Sequence, residues 1–191
     1  MIRFSPLVLL VLVFCALGAC EKALQPKPKA GLRLTYPEPQ YVPLTQKLPF
    51  RFEYNNQASV QPTLKTAPNL FYPKLKATLY LSYRPIQNNL NGLLSDAYTL
   101  PSKHLRKADE IPERLFVNPD KKVYGTLFKI VGDAASQLQF FLTDSTRHFM
   151  VGALYFYAKP NYDSILPAID YIEKDVIRLI ETLEWEQAST P

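Results

Sequence analysis

Residues 135–143 (ASQLQFFLT) and 147–157 (RHFMVGALYFY) are two β-rich runs on either side of Asp144, Ser145 and Thr146. Short Asp and Ser side chains hydrogen-bond nearby backbone and favour turns. So short a polar break between two such runs predicts a hairpin. Leu138, Phe140 and Leu142 are expected on one face, with Phe149, Val151 and Ala153 joining them across the turn. The opposite phase is equally apolar, with Phe141, Met150, Leu154 and Phe156. A strand that is apolar on both sides has to be covered on both sides. The hairpin therefore belongs at the centre of a sheet with a layer on each face.

Other segments supply neighbours and covers. In residues 75–83 (LKATLYLSY), Leu75, Ala77, Leu79, Leu81 and Tyr83 alternate with Lys76, Thr78, Tyr80 and Ser82, the period of a half-buried strand. Residues 123–132 (VYGTLFKIVG) predict another strand, and Phe50, Phe52 and Tyr54 alternate with Arg51 and Glu53 in an early one. Residues 88–110 have helical spacing broken by Pro101, which predicts two short helices or a kinked one. Residues 111–122 read as a polar loop. Ile165, Ile169, Ile172, Val176, Leu179 and Leu183 form one stripe of a closing helix, capped by Asp163 or Ser164, with Trp185 packing on the sheet edge. The expected fold class is α+β: a mostly antiparallel sheet flanked by helices.

The N-terminus has the order of a secretory signal peptide: Arg3, an apolar run from Leu7 to Leu17, then small residues. The run is shorter than the ~20 apolar residues that a membrane-spanning helix needs. Leu17-Gly18-Ala19-Cys20 resembles the bacterial lipobox, with Cys20 as the lipidated residue. The expected organisation is a signal peptide over 1–19, a flexible tether over 20–32 spaced by Pro26 and Pro28, and a single domain over 33–191 with a proline-rich arm. The other cysteine, Cys15, lies inside the removed peptide, so the mature chain has no thiol pair for a disulfide. About 170 residues bury about 70% of their unfolded surface without one.

Residue chemistry argues against an enzyme. Asp144, Ser145 and His148 hold the residue types of a hydrolytic triad, but packed into one turn they lack an oxyanion hole and a pocket. His104 and His148 have no partner at ligand-like spacing, so no metal is expected. No phosphate-binding or dinucleotide-binding glycine pattern occurs, and no cofactor is expected. A formal net charge of +5 is too weak to imply nucleic acid. What remains is aromatic: twelve tyrosines and eleven phenylalanines, with Tyr36, Tyr41 and Tyr80 outside the obvious core pattern. Exposed aromatics anchor protein interfaces and also stack on sugar rings. The expected partner contacts are Tyr83, Arg84, Asn88 and Asn89 from one stretch, with Asp144, Arg147 and His148 from the hairpin.

Several long stretches resemble the GldD family of gliding motility lipoproteins of the Bacteroidetes. They include LSYRPIQNNL, QFFLTDSTRHFMVGALYF and PNYDSILPAIDYIEKDVIRLIETLEW, and the resemblance runs from about Phe50 to Trp185. It implies a non-enzymatic envelope lipoprotein required for gliding and linked to type IX secretion. The implied partners are other gliding-motility lipoproteins or envelope proteins, with no small-molecule substrate, and the implied anchor is acylated (palmitate-bearing) Cys20. Surface-exposed lipoproteins of this group carry an acidic run after the cysteine. Glu21-Lys22-Ala23 has one acid, which favours the periplasmic face of the outer membrane. Glycan or peptide binding in the periplasm is the alternative function. The order of elements also resembles PsbP-like α/β/α sandwiches.

Overall fold

The hairpin lies inside a seven-stranded antiparallel sheet, and the rest of the chain covers it. The computed structural model describes residues 36–62, 67–104, 106–157 and 161–186, all within one compact unit spanning 33–191. The expected signal peptide, the tether and Cys20 lie outside the described residues.

The arm contributes three short strands: β1 (Tyr41–Pro43), β2 (Phe50–Arg51) and β3 (Glu53–Asn55). β4 (Ser59–Gln61), β5 (Asn69–Tyr72) and β6 (Ala77–Pro85) follow, then helix α1 (Leu90–Ser102) and strands β7 (Ala108–Glu110), β8 (Glu113–Asn118), β9 (Val123–Lys129) and β10 (Val131–Gly132). The hairpin is β11 (Ser136–Thr143) and β12 (His148–Phe156). Helix α2 (Tyr162–Thr182) and β13 (Glu184–Trp185) close the chain. The main sheet runs β4-β5-β6-β12-β11-β9-β8, and β1-β3, β2-β13 and β7-β10 form two-stranded ribbons.

Every residue of β11 is buried. One face of the sheet packs on α2 and the arm, where Leu79, Leu81, Leu127, Phe140, Leu142, Met150 and Leu154 meet Ile169, Ile172, Val176 and Leu179. The other face packs on α1, where Phe128, Phe141 and Phe149 meet Leu93 and Ala97. Burying each of these large apolar side chains contributes roughly 2 kcal/mol, which is why a strand apolar on both faces takes the central position.

Several expectations change, and the early strand over residues 50–54 is split at Phe52 into β2 and β3, which join different ribbons. Leu138, Phe140 and Leu142 share a face with Leu154, Gly152 and Met150, not with Phe149, Val151 and Ala153, which lie on the α1 side. Asp144 and His148 enclose three loop residues, so residues of like parity face each other, and a one-residue difference would turn every side chain over. Residues 113–118 form edge strand β8 instead of loop. A strand with one neighbour and open flanks has little to bury, so the apolar alternation that identifies strands is absent. The helix after β6 is single, and Pro101 sits in its last turn, where few helical hydrogen bonds remain to be lost. Asn161 caps α2, accepting from the Ser164 N–H at 3.4 Å.

Candidate functional site

β6 and β12 pair antiparallel, with Tyr83 opposite Met150, Arg84 opposite Phe149 and Pro85 opposite His148. That register brings the two stretches of expected contact residues to one end of the sheet. The Ile86 N–H donates to the Arg147 carbonyl at 2.9 Å and ties the loop before α1 to the hairpin.

The turn is built around Asp144. Its Oδ1 accepts the backbone N–H groups of Thr146, Arg147 and His148 at 2.9, 2.7 and 2.8 Å, and its Oδ2 accepts the Thr146 hydroxyl at 2.9 Å. Burial raises the Asp144 pKa, but these bonds outweigh it and hold the carboxyl below its ordinary value. Ser145 adopts a left-handed conformation (φ 65°), and its N–H donates to the Thr143 hydroxyl. His148, 6% exposed, shares a 2.9 Å hydrogen bond with the Tyr83 hydroxyl through Nδ1 and stacks on the Trp185 indole at 5.2 Å. Its Nε2 is buried beside the Glu186 backbone without a hydrogen bond of normal geometry. Asp144 is saturated by the turn and His148 is bonded to Tyr83, so the triad residue types form a folded turn and not a proton relay.

Above this floor lies a cleft of about 850 Å³. The β2–β13 ribbon forms one wall: Trp185 pairs with Phe50 in register and its Nε1 donates to the Lys122 carbonyl at 3.1 Å. Leu44, Leu48 and Phe50 supply apolar lining, while Thr146 and Arg147 come from the hairpin and Lys121 and Lys122 from the β8–β9 turn. Glu184 takes ion pairs from Arg51 and Lys121. Lys47, Lys122 and Arg147 line the cleft with no carboxylate partner among the described residues. A mixed surface of this kind suits an extended polypeptide better than a small substrate, which needs an enclosed, mostly apolar pocket.

Of the expected contacts, Asp144 and Arg147 line the cleft, and Tyr83 and His148 form the layer beneath it. Arg84, Asn88 and Asn89 are exposed on the neighbouring strand end and loop. Asn88 has φ 57°, and the Asn89 side chain accepts the Gln87 N–H, an ordinary turn role. Sequence reasoning missed Lys47, Lys122 and Glu186, because loop residues carry no periodic signal. It also missed Asp175. This carboxylate, 3% exposed, accepts the Tyr41 hydroxyl at 2.9 Å and Asn55 Nδ2 at 3.0 Å, and Tyr72 also bonds to it. Burial raises its pKa against those bonds. The arm aromatics are thereby explained: Tyr41 docks on Asp175, and Tyr36 stacks on Tyr171 at 4.9 Å.

Burial lowers the His148 pKa, opposed by Asp144. The unfolded chain then binds a proton more tightly than the folded one, so this group's stabilising contribution is complete above the ordinary value of 6.5 and is lost as pH falls through the lower folded value. Thermal melts of the protein from pH 8 to pH 5 are expected to show a falling midpoint. His148→Phe, which keeps the stack on Trp185, is expected to flatten that slope except for the part due to His104, also lowered by burial. An unchanged slope in this variant would contradict the assignment.

Among the described residues, no cluster of potential metal ligands occurs and no helix is long and apolar enough to cross a membrane. The model of the family described as gliding motility lipoprotein GldD matches residues 21–185. The chain belongs to the GldD family. Membership places it among envelope lipoproteins that serve gliding motility. The family match extends from just after Cys20 to Trp185, so it includes the hairpin, α1, α2 and the cleft lining apart from Glu186. No curated protein matches the chain significantly. Among solved structures, it is similar to cyanobacterial PsbP (CyanoP) from Synechocystis, at 9% identity and a TM-score of 0.49, over 84% of this chain and 99% of that one.

Proposed function

We propose that this GldD-family chain is a non-catalytic assembly or stabilising component of the gliding and type IX secretion machinery, acting through protein–protein contacts. In this reading acylated Cys20 moors it to the periplasmic face of the outer membrane, and other envelope lipoproteins of the machinery are its partners. The carrying observation is the cleft at the hairpin end, where Lys47, Lys122 and Arg147 stand over a turn whose central Asp144 carboxylate is already satisfied. With three cations against two carboxylates, Asp120 and Glu186, unpaired among the described residues, the cleft favours an extended segment of a partner that is net acidic.

Lys122→Glu with Arg147→Glu is expected to cut recovery of cross-linked envelope partners from native membranes at least tenfold and to impair gliding, with an unchanged melting temperature. Ser145→Ala is expected to leave gliding intact. Normal gliding and partner recovery in the double variant, or loss of gliding in Ser145→Ala, would overturn this reading.

One observation favours the glycan alternative. Tyr80, Tyr155 and Tyr157 are 38%, 38% and 59% exposed, and the Tyr80 and Tyr157 hydroxyls lie 2.9 Å apart. Peptidoglycan pull-down with Tyr155→Ala and Tyr157→Ala separates the two: binding lost with those rings supports the alternative.

A further inference from the structure

The two most exposed large aliphatic side chains among the described residues, Leu115 and Val117 at 70% each, both lie on edge strand β8. Opposite them on β9 stand Thr126 and Tyr124, and Phe141 follows on β11. Tyr98 of α1 packs edge-on against Phe128 and Phe141 at 5.7 and 5.2 Å and is itself 47% exposed. An apolar strip thus continues from α1 to the rim of the sheet.

The backbone shows what that rim offers. The Lys129 N–H donates to the Pro112 carbonyl at 3.0 Å, in line with the β8–β9 register in which Glu113 pairs with Phe128. Hydrogen-bonded pairs alternate in an antiparallel ladder. Even-numbered residues of β8 therefore direct their N–H and C=O groups to β9, and Glu113, Leu115 and Val117 direct theirs outward. Pro112 and Pro119 bracket these three residues, of which Leu115 is the middle one.

We infer that β8 pairs antiparallel with β8 of a second copy of this chain, about a two-fold axis through Leu115. In that register Leu115 faces the second copy's Leu115, and Glu113 faces Val117 in both directions. All three outward residues are then satisfied, by six backbone hydrogen bonds. Arg114, which lies over its own Phe116 ring at 5.0 Å, also meets the second copy's Phe116. Neighbouring registers are poorer. Sliding two residues one way sets Arg114 against Arg114, and sliding the other way brings in Pro119, which has no N–H to donate. An isologous edge is closed, so association stops at two copies. The interface is six residues long and at the small end of the range, so the dimer is reversible. The β8–β9 turn that follows β8 lines the cleft, but no residue of β8 itself does, so this inference does not rest on the cleft.

The test uses the full chain in detergent, with a cysteine at one β8 position at a time and copper–phenanthroline as oxidant. Hydrogen-bonded antiparallel partners have Cα atoms ~5.5 Å apart, within disulfide reach. Leu115→Cys is expected to form a covalent dimer at least tenfold faster than Glu113→Cys or Val117→Cys, above the background of the unsubstituted chain. In sedimentation, mass is expected to rise with concentration for the unsubstituted chain. Leu115→Lys and Leu115→Pro should abolish that rise, the latter by removing an outward N–H while keeping the ladder to β9. Equal cross-linking at all three positions, a monomer at every concentration, or capture of a different protein's strand at Leu115 would overturn the inference.

Discussion

Gly152→Ala is expected to cost about 3 kcal/mol, the upper part of the range for overpacking a core, and to lower the melting temperature by roughly 10 °C. Gly152 lies directly opposite Phe140 on β11, and a Cβ there would stand 2.2 Å from the ring. The ring is 1% exposed and held between β9, β12 and α2, so it has no free direction in which to move. The alternative is to separate β11 from β12, which breaks the ladder at the centre of the sheet. Phe140→Leu in the same chain should recover part of the loss, because the shorter side chain makes room for the methyl group. A double-mutant cycle in urea measures this. Additive losses from the two changes would show that the ring is not what excludes a side chain at Gly152.

Asp175→Leu is expected to destabilise the domain by about 3 kcal/mol and to free the arm. The carboxylate is the common acceptor for Tyr41 and Tyr72 of the arm and sheet and for Asn55, which is fully buried. Removing it leaves buried donors unpaired, at about 1–3 kcal/mol each, offset in part by better apolar packing. The pH dependence is opposite in sign to that of His148. Burial makes the folded carboxyl hold its proton more tightly than the ordinary value of 3.8, so the penalty for ionising it grows as pH rises from 3.8 through the folded value. Asp175→Asn removes that penalty, keeps one acceptor, and should lose less than Asp175→Leu. Urea melts give the energies, and limited proteolysis at residues 36–43 reads arm release. If Asp175→Leu melts with the wild type and its arm stays protected, the network contributes nothing.

The hairpin-end site was half legible from sequence. Asp144, Ser145 and Thr146 signal a turn because short polar side chains bond nearby backbone, and the fold builds that turn with Asp144 as its hub. Trp185 was expected on the sheet edge; it lies instead in the β2–β13 ribbon and stacks on His148 at the end of the central strand β12. The rest of the cleft draws on residues far apart in the chain, and only the β2–β13 ribbon and the β8–β9 turn bring Lys47, Lys122 and Glu186 to it. Asp175 was hidden for a related reason. On a helix with acids on its outer face, nothing in the spacing marks one carboxylate as buried until Tyr41, Asn55 and Tyr72 converge on it.

Sequence alone was enough for the features that depend on contacts between near neighbours. Periods of two and of 3.6 report whether a segment buries one face or one stripe, and they identified β6 and α2, while continuous β-rich runs identified β9, β11 and β12. Tertiary structure decided what periodicity does not encode: which faces meet across the hairpin, and that residues 113–118 extend along the sheet rim. Register depends on the number of loop residues between paired strands, and an edge strand is recognised by its neighbour because it buries too little to announce itself.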